Sequence, residues 1–304
     1  MANLALIPFY VVADLTVASH QHKMPPEDSW KRPQDKGQEE ADNYKRGVTD
    51  SMWGPGIPAA DGIVSYFGTQ DTHMYHLTSA MTNTAFYKSF IYTMLGATES
   101  AFNQWRATLN FQPNKTKIFG PSIVGTPKCL AAKAKFTELF DAYPGHASFA
   151  AFKNYKKWKD AVAKGIAKCL DSYIDKLLIP GFPWYPAFAA FPGPSAPPMP
   201  NTPWPLIACP SLGVIDILNP KNIQKAILDA FDGDLKQEIN DKFHETVFEA
   251  IANACALGFT IWLATQTVSN VMGQGPVPSY APPYVPVGPV VKGAVVAAPG
   301  GQIV

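Results

Sequence analysis

Charge is scarce in this chain. Only 16% of its 304 residues are Asp, Glu, Lys or Arg, against about a quarter in ordinary globular domains, and 25 basic residues nearly balance 24 acidic ones. That balance argues against a dedicated nucleic-acid face, which needs clustered Lys and Arg to displace counterions. Cysteine is equally sparse: Cys129, Cys169, Cys209 and Cys255 are too far apart for a CxxC metal knuckle or a dense disulfide framework, and read as reduced core thiols. The opening run "MANLALIPFYVVADLTV" has no basic residue before it and is interrupted by Pro8 and Asp14, against a signal peptide. Folding in a cytoplasm is expected.

Recognisable catalytic chemistry is missing as well. There is no GxxxxGK(S/T) phosphate loop, no GxGxxG, no GxSxG elbow and no HExxH. The segment "DTHMYH" sets Asp71, His73 and His76 close together, but imidazoles near a helix start read as surface or capping groups rather than metal ligands. Glu27, Asp28, Glu39 and Glu40 fall in the mixed-charge stretch 23–47, with no apolar frame to shift a carboxyl pKa. That stretch reads as a solvated loop. The lysines of "NYKKWKDAVAK" belong to the solvated face of an amphipathic helix rather than to a nucleic-acid surface. No catalytic residue, metal or cofactor is expected.

Proline is what the chain has in excess, 29 of 304 residues. It concentrates in "IPGFPWYPAFAAFPGPSAPPMPNTPWPLIACP", residues 179–210, which holds eleven prolines, six aromatics and no charge. Proline fixes φ and lacks a donor, so such a segment favours polyproline II or sheet-edge conformations. A disordered linker is charged and poor in aromatics; this segment is the reverse, and its rings must be covered by protein. Phe182, Trp184, Tyr185, Phe188, Phe191 and Trp204, with Tyr280 and Tyr284 in the Pro/Gly/Val-rich tail, are the candidate interface anchors.

Helical periodicity accounts for much of the rest. Phe86, Phe90, Met94, Ala97, Ala101, Trp105 and Thr108 recur at steps of three and four between residues 74 and 111. Trp158, Val162, Gly165, Ile166, Cys169, Leu170, Tyr173 and Leu177 form one face of a second helix whose other face carries lysines. A third helical block, 222–272, breaks at Asp232 to Asp234, with Gly233 ending one helix and Asp234 capping the next. Its last part, 250–273, has no charge in 24 residues, long enough to span a bilayer. Asn253, Gln266, Asn270 and the absence of flanking basic residues favour burial by protein on all sides instead.

The first and third blocks match at an offset of 157 residues, including Phe102 with Phe259, Trp105 with Trp262 and Thr108 with Thr265. Each helical block precedes a Pro/Gly segment, so the chain reads as tandem helix-plus-arm units. The expected fold is mainly α, long helices alternating with extended arms, with minor β at the N-terminus from "FYVVADLTV". Five segments follow: an N-terminal extended segment and charged loop (1–73), a helical region (74–178), an aromatic arm (179–220), a helical region (221–272) and a C-terminal arm (273–304).

Tandem helix-plus-arm units, uncharged aromatic arms, a Val/Pro/Gly/Ala tail and no catalytic motif together resemble virion structural proteins of tailed bacteriophages, tail and baseplate components in particular. The resemblance implies a non-enzymatic subunit of a virion assembled in the host cytoplasm. Its partners would be other structural subunits, both copies of itself and different chains, with no nucleic acid. The alternative is a membrane-interacting protein that inserts its uncharged 250–273 helix.

Overall fold

The computed structural model describes residues 3–18, 74–109, 117–119, 122–123, 132–152, 154–177, 184–185, 199–200, 203–238, 243–274, 280–281, 285–286, 288–289 and 293–297. In chain order these form helices α1 (Tyr10–Ala18) and α2 (Met74–Ala107), strands β1 (Lys117–Phe119) and β2 (Ser122–Ile123), and helices α3 (Ala132–Asp141) and α4 (Tyr155–Asp175). Strands β3 (Trp184–Tyr185), β4 (Met199–Pro200) and β5 (Trp204–Pro205) precede helices α5 (Val214–Leu218), α6 (Pro220–Ala230), α7 (Gly233–Glu238) and α8 (Phe243–Thr265). The chain then runs through β6 (Thr267–Val268), β7 (Met272–Gln274), β8 (Tyr280–Ala281), β9 (Val285–Pro286), β10 (Gly288–Pro289) and β11 (Gly293–Ala297). The fold is mainly α, as the periodicity indicated.

Helix α8 lies at the centre. It carries no charge after Glu249, so it has no fully polar face to give to water. Val247, Phe248, Ile251, Ala254, Cys255, Phe259 and Trp262 are all buried, covered by α1, α2, α5 and α6. The uncharged run 250–273 is not one helix, however. The helix ends at Thr265 and the remaining residues enter β6 and β7 through Asn270, whose φ of 61° is a left-handed conformation that asparagine tolerates.

Helix α4 buries the face the sequence assigns to it, with Val162, Gly165, Ile166, Cys169, Leu170 and Tyr173 all inside. Its tightest approach is to α6. A methyl added at Gly165 would lie 2.6 Å from both Cα and N of Ile227, so the two backbones touch because residue 165 has no side chain. Helix α6 starts with Pro220 at its first position, and the Asn219 side chain accepts from the Lys221 N–H at 3.0 Å. The break after α6 lies where expected, but the cap is Asp232. Its Oδ1 accepts from the N–H groups of Asp234 and Leu235 at 3.1 and 3.2 Å, and Gly233 opens α7 instead of ending α6. The carboxylate that precedes the first free N–H groups is the one that satisfies them.

The ends of α2 and α8 behave alike. Thr108 Oγ1 donates to the Trp105 carbonyl at 2.7 Å, and Thr265 Oγ1 donates to the Trp262 carbonyl at 3.0 Å. These are matched positions of the 157-residue offset, and the two ends meet. Phe102 lies 5.3 Å from Phe259 and 4.9 Å from Trp262 between ring centroids, and Arg106 Nη1 donates to Gln266 Oε1 at 2.9 Å.

The Pro/Gly segments pair with one another inside the chain. A five-stranded antiparallel sheet has the order β2-β1-β11-β7-β4, so segments following α2, α4 and α8 all contribute to it. Pairs β3 with β10, β5 with β6 and β8 with β9 complete the described strands. Among the described strands, Pro200, Pro205, Pro286 and Pro289 sit in β4, β5, β9 and β10, each at the edge of its sheet. The three inner strands β1, β11 and β7 contain none, as a residue without an N–H requires.

The N-terminal β expectation is overturned: residues 10–18 are helical. Pro8 enters the preceding 3-10 turn near its first position, and Leu6, Ala13 and Val17 turn inward at helical rather than alternating spacing. Packing on α8 overrides the strand propensity of the β-branched residues. Segment 1–73 is therefore not separate from the helical regions, since its described part shares their core. The aromatic arm 179–220 closes in helix, with α5 inside it and α6 starting at its last residue.

Gly165→Ala is expected to lower the unfolding free energy by about 2 kcal/mol, because the added methyl meets backbone that no rotamer change can move aside. This outweighs the ~1 kcal/mol that alanine gains in helix propensity. Gly233→Ala, where nothing lies within 4 Å, is the control and is expected to be neutral or slightly stabilising. Urea unfolding midpoints at constant slope measure both.

Candidate assembly surface

Helix α1 is apolar on two sides. Ala13 and Val17 face the core, while Ile7, Val11 and Leu15 point outward at 64%, 64% and 65% exposure. The outward residues are spaced by four and stack along one helical line. Position and tilt of α1 are fixed on both flanks. Toward α2, Tyr92 donates its hydroxyl to Asp14 Oδ2 at 2.6 Å, and Leu6 N–H donates to Glu99 Oε2 at 2.6 Å. Toward α8, Asn253 Nδ2 donates to Thr16 Oγ1 at 3.0 Å, and Leu6 rests over Gly258, where a Cβ would collide with it.

Those two contacts run α1 antiparallel to α8. Asn253, Leu257 and Ile261 share one line of α8 at steps of four, and Leu257 and Ile261 are 42% and 53% exposed. The row begun at the Asn253–Thr16 contact thus continues beside α1 as open aliphatic surface, so α8 is not covered on all sides. These five exposed aliphatic side chains, three on α1 and the turn before it and two on the α8 line that starts at the Thr16 contact, offer apolar surface of the sort that marks an interaction site on a soluble protein. Covering the remaining half of each contributes roughly 1 kcal/mol, about 5 kcal/mol together, before association entropy is subtracted.

The anchors read from sequence lie elsewhere. Trp204 is 36% exposed on β5, its backbone paired with Val268. Nearby in sequence, Ile207, Leu212 and Ile215 are 58%, 87% and 56% exposed. Trp184, Tyr185 and Tyr280 are described in backbone only, in β3 and β8. Phe182, Phe188, Phe191 and Tyr284 lie outside the described residues, as do Asp71 and His73, the glutamates and aspartate of the charged loop, and Cys129. The β-branched run reads as strand, which hides Ile7, Val11 and Leu15; their four-residue spacing is the signal that marks them.

Among the buried ionisable groups, both ring nitrogens of His146 have partners, whereas the Tyr173 hydroxyl is buried without a hydrogen bond. His146 accepts from the Tyr155 hydroxyl at Nδ1 (2.6 Å) and donates from Nε2 to the Phe140 carbonyl (2.8 Å). A carbonyl can only accept, so the neutral ring carries its proton on Nε2. Burial pushes its pKa below the ordinary 6.5, with the nearby Lys159 acting the same way against the opposing Phe140 carbonyl and Asp141. Cys169, Cys209 and Cys255 are free and buried. Desolvation pushes the first two up to about 12 and the third higher still, which leaves them protonated and inert. Among the described residues no group of His, Cys, Asp and Glu is arranged to hold a metal. A cleft of ≈ 190 Å³ is lined by Phe86, Tyr87, Phe90, Phe152, Tyr155 and Trp158, with rings that meet edge to face, and the Tyr155 hydroxyl is committed to His146.

No protein-family model, curated protein or solved structure matches this chain. Geometry alone therefore carries the functional argument.

Two outcomes follow for the buried groups. A histidine whose folded pKa is depressed binds fewer protons in the native state than in the unfolded one, so its contribution is complete above pH 6.5 and is lost as pH falls toward the folded pKa. Unfolding free energy should decline on acidification through that window, and the decline should be shallower in His146→Gln. Cys169, Cys209 and Cys255 should resist a disulfide exchange reagent in the native protein and react fully in denaturant, read by mass spectrometry of the labelled peptides.

Proposed function

We propose that this chain is a non-enzymatic structural subunit of a large protein assembly of the bacteriophage-virion kind, in a tail or baseplate rather than a capsid. The observation that carries the reading is the exposed row of Ile7, Val11, Leu15, Leu257 and Ile261, apolar surface on α1, the turn before it and α8. Partner subunits, copies of this chain or different chains, would bury it. The Pro/Gly arms support the reading in a second way. Their described strands pair in cis, which shapes the subunit before it meets neighbours and lowers the entropy lost on docking. Absence of recognisable catalytic motifs and the neutral charge balance agree with a role in contact rather than turnover. Virion localisation and assembly in a host cytoplasm follow from the same proposal.

A membrane reading rests on one feature. Residues His244–Thr265 are long enough to cross a bilayer, with mean hydropathy 1.6. Yet 67% of that stretch is buried inside the protein, so lipid would reach it only if the helix left its own core.

Val11→Asp with Leu15→Asp places two charges on the row without touching the core. The double variant is expected to unfold within a few tenths of a kcal/mol of wild type and to be excluded from assembled particles, measured by its ratio to wild type when the two are co-expressed. Equal incorporation would overturn the proposal. Retention of the wild-type chain in membranes after alkaline extraction would favour the lipid reading instead.

A further inference from the structure

A second surface, formed where α1, α2 and the turn after α3 meet, has a different chemistry. It is an open groove of ≈ 470 Å³ lined by Tyr10, Lys88, Ser89, Tyr92, Thr93 and Tyr143, a volume within the range of small-molecule sites. Its floor is flat. Tyr10 and Tyr92 stack with centroids 4.2 Å apart and planes 12° from parallel. Tyr143 is laid onto the α2 backbone through two glycines. A Cβ at Gly96 would come within 2.6 Å of its hydroxyl oxygen, and one at Gly145 within 2.5 Å of its ring. Neither glycine has a left-handed φ, so what each supplies is room for this ring.

Of the groove's five hydroxyls, Tyr10 donates to the Tyr92 carbonyl at 3.3 Å and Tyr92 to Asp14, and the other three, on Ser89, Thr93 and Tyr143, are left unused. Helical Ser and Thr ordinarily bond back to the carbonyl four residues earlier, and Thr16, Thr98 and Thr260 do so here at 2.8 to 2.9 Å. Ser89 and Thr93, one turn apart on the groove side of α2, make no such bond, and the Thr93 methyl is the atom nearest Gly145 after the tyrosine ring. Tyr143 likewise donates its hydroxyl to no protein group. The charges at the rim already answer one another: Lys88 Nζ lies 3.9 Å from Asp14 Oδ2, and Asp14 accepts from Tyr92. The groove thus offers flat ring surface and neutral hydroxyls, with its charges paired and too little enclosure for a purely apolar ligand.

We infer that this groove binds carbohydrate. A pyranose ring presents a face of C–H groups to lie against tyrosine and a rim of hydroxyls that both donate and accept, which is the complement of what Ser89, Thr93 and Tyr143 offer. A strong anion would find the lysine already paired, and a cation would find the carboxylate bonded. The site is separate from the aliphatic row, so either surface can fail without the other.

Saturation-transfer NMR on the full chain tests this with D-glucose, D-galactose, D-mannose and N-acetyl-D-glucosamine as the probes, each at millimolar concentration. Transfer to the ring protons of at least one sugar is expected. Ser89→Ala with Thr93→Val, which deletes one exposed and one half-buried hydroxyl with no partner in the protein, should weaken that sugar about tenfold while leaving the urea midpoint unchanged. Tyr143→Ala should abolish transfer, with circular dichroism reporting that the helices persist. Absence of transfer from all four sugars, or undiminished binding by the folded double variant, would overturn the inference.

Discussion

An uncharged helix has to be covered, and in this protein the covering of α8 determines where the other described helices go. A helix with a charged face needs one neighbour; α8 needs neighbours on nearly every side. Four other helices supply them, drawn from residues as far apart in sequence as Leu6 and Ile227. Small residues set how closely they approach: Gly258 admits Leu6, and Gly165 lets α4 touch the backbone of α6. Trp158 joins the two layers, its ring 4.8 Å from Phe231 and 5.1 Å from Phe248. The remaining open line of α8 is where covering by the described residues stops, and it starts beside α1 at the Asn253–Thr16 contact.

Burial of polar groups follows the same order. Two ionisable side chains taken inside come with partners of fixed role, His146 with a carbonyl and a phenol, and Arg106 with Gln266 and Asn3 at 2.9 and 3.1 Å. Those groups hold helix ends and turns in register. The uncommitted hydroxyls of Ser89, Thr93 and Tyr143 line one open groove instead, where water can satisfy them until something displaces it.

The helical faces were legible in the sequence because their signal is local. The α4 face from Val162 to Tyr173 and the α2 stripe from Phe90 to Trp105 need only a period near 3.6 and a solvent on one side. The break at Asp232–Gly233 was legible within two residues. Helix α1 was not, because Val11, Val12 and Val17 favour strand and the deciding contacts, with Asn253 and Gly258, are more than 200 residues away. Helix α3 falls inside the helical region 74–178, but its own bounds are not legible because its apolar pattern is short, with Phe136 and Phe140 as its buried pair. The prolines announced edge strands correctly, but pairing between arms is a long-range choice that no local pattern encodes. The candidate surface was the least legible part, since exposure is a property of the finished packing and not of Ile7 or Leu257 themselves.

Strand β11 sits in the middle of the five-stranded sheet, between β1 and β7, although it is the last described strand in the chain. On a ribosome, β1 and β2 emerge long before it and can form only a two-stranded hairpin, which is marginal in water. They wait until synthesis has passed residue 297. The helices can collapse around α8 as soon as residue 265 is out, so the protein is built in two stages separated by the time taken to translate its tail. During that interval the β1–β2 hairpin and the β4–β7 pair each have one edge of backbone donors and acceptors that awaits β11, and a nascent chain held at this point exposes open strand edges to any neighbour translated beside it.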